Sequence, residues 1–182
     1  MGEISIKDRT KKQNFGFTLV ELMVVIGIIG IIAVIAVPNF ARIQRQARLR
    51  AASQRTAQHL KQIRERAISS NGTYHIQFRV PDQYHYRLIR PDGSNQDFRL
   101  SGATGGRVYF GGTGVAGQPP EASMAAPGNL GVDFPGNILI IDGRGGATSG
   151  VLYITDNRDN HAVGINRLGR ITTYVFSGGT WN

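Results

Sequence analysis

The chain contains no cysteine. No disulfide framework, no thiolate metal site and no cysteine nucleophile can therefore form, although this lack does not fix the compartment. Acids are scarce as well, with 12 Asp and Glu against 21 Lys and Arg, for a formal charge of +9. Lysine is the minority cation, because 17 of the 21 are arginine. Arginine suits phosphate and carboxylate partners but also ordinary ion pairs, so charge alone names no partner. The four histidines, His59, His75, His85 and His161, show no H-E-x-x-H spacing, and no G-x-S-x-G elbow occurs. With no convergent catalytic set, the chain reads as a non-enzyme without cofactor or metal, and its histidines as surface residues. Its 182 residues fit one modest domain plus an appendage.

What is present is one long apolar run. From Leu22 to Val37 every residue is apolar or glycine, and counted from Phe17 the stretch has 21 residues. About 20 helical residues span a bilayer core. Gly27, Gly30, Ala33 and Ala36 would let helix backbones approach closely. Pro38 removes a hydrogen bond to Val34 and is expected to end or kink the helix. A plain anchor and a secretory signal cut near Ala36 both fit this run. Neither explains Glu21. An acid costs roughly 2.5–3.5 kcal/mol at the bilayer centre and less toward an edge, and the run holds no Lys, Arg or His. A cut after Gly16 would supply a partner, since Phe17 would then carry a free amine four residues from Glu21.

The stretch "GFTLVELMVVIGIIGIIAVIAVPNF" resembles the type IV prepilin signature. The resemblance implies cleavage after Gly16 by a prepilin peptidase, methylation of the new N-terminus at Phe17, and an assembly salt bridge from Glu21 to the amine of an adjacent subunit. Pro38 falls where such proteins have a helix-kinking proline. The basic leader, residues 1–16, would stay cytoplasmic and be removed, leaving a formal +7. Positive charge on both sides of the run does not itself settle topology; the resemblance implies a single pass through the bacterial inner membrane with the body in the periplasm.

Residues 39–70 read as an amphipathic extension of the helix, with an apolar stripe at Leu49, Ala52, Thr56, Leu60, Ile63 and Ala67. Asn71-Gly72 supplies a stop. The remaining face is basic: Arg42, Arg45, Arg48, Arg50, Arg55, Lys61, Arg64 and Arg66 meet one acid, Glu65. Such a face fits phospholipid head groups or acidic neighbours; no aromatics interleave as a single-strand nucleic-acid platform would need. Residues 71–182 read as a β-rich domain. "TYHIQFRV" places Tyr74, Ile76, Phe78 and Val80 on one face, and "YHYRL" places Tyr84, Tyr86 and Leu88 on another. Further strands are expected at 97–100, 106–110, 137–141, 151–155, 161–166 and 171–176. The fold class is therefore α+β, a long N-terminal helix packed on an antiparallel domain of two sheets or one curved sheet. The Gly- and Pro-rich interval 111–136 is expected to be a variable surface loop.

Residues 150–181, around the Leu168-Gly169-Arg170 hairpin, resemble the GspH/FimT group, minor pseudopilins of type II secretion and minor pilins of type IV pili. The implied function is a structural subunit of a secretion pseudopilus or a pilus. Its implied partners are other pilins or pseudopilins, the prepilin peptidase, an inner-membrane assembly platform, and membrane lipid before assembly. A second function stays open: a DNA-binding minor pilin for uptake, with Arg158, Arg167 and Arg170 as an anion patch if their two turns lie at the same end of the domain. Gly112 to Gly117 fits G-x-G-x-x-G, but Gln118-Pro119-Pro120 follows where a helix must begin. Asp156, Asn157, Asp159 and Asn160 lack the EF-hand spacing and read as a polar turn.

Overall fold

A computed structural model describes residues 17–100, 108–112, 117–122 and 130–182. Helix α1 spans Leu19–Ser70. The chain divides into two compact units, Met1–Ala41 and Arg42–Asn182.

In the first unit, Leu, Ile, Val, Gly and Ala fill the helix from Leu19 onward. A helix satisfies its own backbone groups, which is what an apolar surrounding demands. Its large apolar side chains are uncovered, from 41% exposed at Val25 to 80% at Phe17. A Cβ added at Gly27 or Gly30 would meet nothing within 4 Å. The helix continues through position 38, so Pro38 does not end it. Next to it, the Asn39 side-chain amide donates to the Ile35 carbonyl at 3.3 Å.

In the second unit the helix buries the expected stripe: Leu49, Leu60, Ile63 and Ala67 have no exposed surface, and Ala52 and Thr56 almost none. Ser53 and Ala57 are buried beside them. The helix stops through a paired C-terminal motif. The Gly72 amide donates to the Ala67 carbonyl at 3.0 Å and the Asn71 amide to Ile68 at 3.3 Å, a Schellman arrangement. Asn71, not Gly72, takes the left-handed conformation, at φ 46°, which asparagine tolerates better than most residues.

Two antiparallel sheets follow. The first has the order β3-β2-β1-β6, formed by β1 Tyr74–Phe78, β2 His85–Ile89, β3 Asn95–Arg99 and β6 Ile138–Ile141. The second has the order β10-β9-β8-β7-β4, with β5 also paired to β7. Its strands are β4 Tyr109–Phe110, β5 Val132–Asp133, β7 Gly150–Thr155, β8 Asn160–Ile165, β9 Ile171–Ser177 and β10 Thr180–Trp181. Two sheets are thus present, not one curved sheet. One core collects the helix stripe, Ile76, Phe78, Tyr86 and Leu88 of the first sheet, and Leu152, Ile154, Val163 and Ile165 of the second. A smaller cluster of Val151, Tyr153 and Ala162 lies on the other face of β7 and β8, covered by Ala122, Tyr174 and Trp181.

The interval 111–136 corrects the surface-loop expectation where it is described. Val132–Asp133 is paired to β7, and Phe134 is buried in the main core. The Tyr174 hydroxyl donates to the Glu121 carboxylate at 2.8 Å, and Trp181 Nε1 donates to the Gly117 carbonyl at 3.3 Å. Gly112 to Gly117 lies partly, at 113–116, outside the described residues.

Candidate processing and assembly site

Phe17 and Thr18 precede the first helical turn. Thr18 caps it: the Glu21 amide donates to Thr18 Oγ1 at 3.2 Å, and the Leu22 amide to the Thr18 carbonyl at 3.2 Å. Thr18 is therefore the N-cap and Glu21 the third helical residue, the Thr-x-x-Glu pattern of a capping box. Glu21 also stands in the first turn, where free amides and the helix dipole favour negative charge. This is a local reason for an acid at that position, and its signal was present in the sequence as Thr18-Leu19-Val20-Glu21. Among the described residues no side chain bonds or pairs with the Glu21 carboxylate. The cap leaves it available to a partner from outside the chain. Phe17 is 80% exposed. Gly16 and the leader lie outside the described residues.

The other singled-out residues do not gather. Arg158 sits in the turn between β7 and β8, whereas Arg167 and Arg170 sit in the turn between β8 and β9. Both strand pairs are antiparallel, so the two turns close opposite ends of β8. Its six residues separate them by about 20 Å. The condition for a single patch, two turns at one end, is not met. The Asp156 to Asn160 segment is a polar turn: Asp156 Oδ1 accepts the amides of Arg158 at 3.0 Å and Asp159 at 2.8 Å.

Two histidines depart from the surface expectation. His161 on β8 is only 8% exposed. Ser53 Oγ donates to the Arg50 carbonyl at 2.9 Å, which leaves its lone pair for the His161 Nδ1–H at 3.0 Å. Burial lowers the His161 pKa; Asp159 offsets part of this, Arg50 acts less strongly to lower it, and Asp156 less again to raise it. His59 on α1 meets the Tyr86 hydroxyl at 2.7 Å and packs on Phe98 with ring centroids 4.3 Å apart. Burial, then Arg66, lowers its pKa as well. Both histidines join helix to sheet. Period analysis had no way to find them, because each partner lies far away in sequence.

Arg64 is a third joint that the basic-face reading obscured. Its Nε donates to the Gly145 carbonyl at 2.8 Å and its Nη2 to Leu168 at 3.3 Å. The helix thereby holds both the 142–146 turn and the Leu168-Gly169-Arg170 hairpin.

A prokaryotic N-terminal methylation motif matches residues 11–37. In structure the chain is similar to the type IV minor pilin FimU of Pseudomonas aeruginosa strain PAO1, at 14% identity, 77% of this chain, 96% of that chain and a TM-score of 0.49. It is also similar to the minor pseudopilin EpsH from the type 2 secretion system of Vibrio cholerae, at 15% identity, 73% of this chain, 99% of that chain and a TM-score of 0.42. No curated protein sequence matches it. The chain thus carries a prepilin-type N-terminal methylation segment, borne on a helix that continues into a body of two antiparallel sheets.

Proposed function

We propose that this chain is a minor pilin or pseudopilin of the GspH/FimT kind, a filament subunit and not an enzyme. Prepilin peptidase cuts after Gly16 and methylates Phe17. Before assembly the apolar helix anchors the subunit in the inner membrane, with its body on the periplasmic side. In the filament the same helix packs against those of other pilins or pseudopilins, drawn from the membrane by an assembly platform.

One observation carries this reading: the methylation motif lies on a helix whose apolar side chains are bare. The helix is long and apolar enough to cross a membrane, and so large an apolar surface calls for lipid or other helices around it. A plain anchor would need neither the motif nor an acid at Glu21. The capped first turn leaves the Glu21 carboxylate free for the amine that cleavage creates on a neighbouring subunit. Within low-dielectric surroundings that pairing offsets the cost of burying either charge alone. Secretion pseudopili and type IV pili both use subunits of this kind, and the C-terminal hairpin resemblance covers both. The DNA-uptake alternative loses the single Arg158, Arg167 and Arg170 patch on which it rested.

The test is Glu21→Ala in the native host. Cleavage should proceed and incorporation into filaments should fail. A variant that is cut and still incorporated normally would refute the Glu21 pairing.

A further inference from the structure

Between Glu21 and Glu65 there is no acidic residue in 43 positions, yet Arg42, Arg45, Arg48, Arg50 and Arg55 stand there. Four arginines of the second unit are used structurally. Arg64 holds two carbonyls, Arg79 donates to Leu130 at 2.6 Å, Arg87 pairs with Asp97 at 2.6 Å, and Arg90 donates to Gln96 at 2.6 Å. Among the described residues the guanidinium groups of Arg42, Arg45, Arg48 and Arg50 have no hydrogen-bond or ion-pair partner, as holds also for scattered arginines of the body; what sets these four apart is their spacing directly after the apolar run. Four unpaired like charges within nine residues repel one another.

Their placement narrows what they serve. Arg42 follows the last residue of the apolar run, Val37, by five positions. On a continuous helix those five residues rise about 7.5 Å. Head groups occupy the outer 5–8 Å or so of each leaflet, so Arg42 stands at that zone and Arg45, Arg48 and Arg50 follow within about another 12 Å, close to one Debye length from it. At about 100° per residue, Arg45, Arg48 and Arg50 point roughly 300°, 240° and 80° around the helix from Arg42. This is a collar, not a stripe, and a single protein neighbour would touch only part of it. Head groups surround an emerging helix on every open side. Arg42 and Arg50 also line an open groove of about 940 Å³ with Gln46, His161, Ser177 and one acid, Asp159. The groove is wide enough for a phosphate-bearing head group between the two arginines, about 12 Å apart along the axis.

We propose that Arg42, Arg45, Arg48 and Arg50 form a collar that recruits anionic phospholipid to the unassembled subunit. The inference rests on the membrane-anchored stage of the proposed function and adds its lipid chemistry. An anionic surface attracts each nearby Arg or Lys severalfold, and salt weakens the attraction over a Debye length. An excess of anionic lipid around the helix would hold the subunit in the membrane until assembly strips the head groups away.

The experiment is native mass spectrometry of the full chain released from nanodiscs of equal phosphatidylglycerol and phosphatidylcholine. The same spectrum reads the N-terminus, so a failure of processing shows as an unaltered Met1 mass without touching the lipid result. Retained phosphatidylglycerol should exceed phosphatidylcholine about tenfold. The ratio should fall to about one in the Arg42→Gln, Arg45→Gln, Arg48→Gln, Arg50→Gln variant. It should stay near wild type when exposed body arginines are changed instead (Arg99→Gln, Arg144→Gln, Arg158→Gln, Arg170→Gln). Equal retention of the two lipids by the wild type would overturn the proposal. So would an equal loss in the body variant, which would mean net charge alone. If the collar variant kept its lipids but failed to join filaments, the arginines would belong to an acidic protein neighbour instead.

Discussion

Replacing Gly169 with alanine tests how the C-terminal hairpin is locked to the helix. Gly169 has φ +72°, and a Cβ there would lie 2.1 Å from the Gly145 carbonyl oxygen and 2.5 Å from Arg64 Nε. The first contact is with backbone, so the hairpin must move, and moving it breaks the two Arg64 bonds. Left-handed conformation costs a non-glycine residue about 1–2 kcal/mol. Two partly exposed charge-assisted bonds add about 2–3 kcal/mol together. The sum, about 3–5 kcal/mol, is a large share of the 5–15 kcal/mol or so that holds an ordinary domain. Trp181 is the sole tryptophan, and it packs on Tyr153 and Phe176 in the body. Its fluorescence therefore follows unfolding of the body in urea. With a slope of about 2 kcal/mol per molar, the midpoint should fall by roughly 1.5–2.5 M. Arg64→Ala should cost about 2–3 kcal/mol, losing the bonds without the strain. Because both changes break the same clamp, the double variant should be less damaged than the sum of the two by about 2–3 kcal/mol. A Gly169→Ala protein within about 0.5 kcal/mol of wild type would show that the hairpin is not held in this way.

Two further outcomes follow from the buried histidine and from Glu21. His161 is held neutral, its folded pKa below the ordinary 6.5, so the unfolded chain takes up its proton first as pH falls. Stability is then constant above about pH 6.5 and declines below it, by at most about 1.4 kcal/mol per pH unit for one histidine, until the folded pKa is passed. His59 shifts in the same direction, so His161→Gln should reduce the acid slope between pH 6.5 and 5 without abolishing it; a wild-type urea midpoint that is flat across this window would contradict the reading. Glu21→Gln should separate the two roles of that residue. It keeps the side-chain length and removes only the charge, so it should be cleaved at the wild-type rate and assemble as poorly as Glu21→Ala; full assembly of the glutamine form would mean that a polar side chain of this length, not ion pairing, is what the position supplies.

Periodicity exposed the parts of the fold in which one residue type repeats against one surface. The stripe from Leu49 to Ala67 and the alternating faces of β1 and β2 are of this sort, since burial acts on every third or second residue. Strands of two residues, Val132–Asp133 and Thr180–Trp181, are too short to carry a period and are held by tertiary pairing. The joints that fix helix to sheets, Ser53 with His161, His59 with Tyr86, and Arg64 with Gly145 and Leu168, depend on partners 27 to 108 positions away. Their residue types look like ordinary surface polarity in the sequence. The N-terminal motif was more legible, because the proposed cleavage position, the cap and the acid lie within six consecutive residues, Gly16 to Glu21. Only the cap was missed there, hidden by the attention that an acid in an apolar run draws. The arginine patch failed for the opposite reason: spacing along the chain cannot tell which end of a strand a turn closes.

The most direct test of the central claim is the intact mass and N-terminal sequence of the protein isolated from its native membrane. A chain starting at Phe17 and bearing one added methyl group on its amine is the expected result. A start near Val37 would mean a secreted body freed from its signal, and an intact Met1 would mean a plain anchor; either would contradict the account of Glu21 as the partner of a processed terminus.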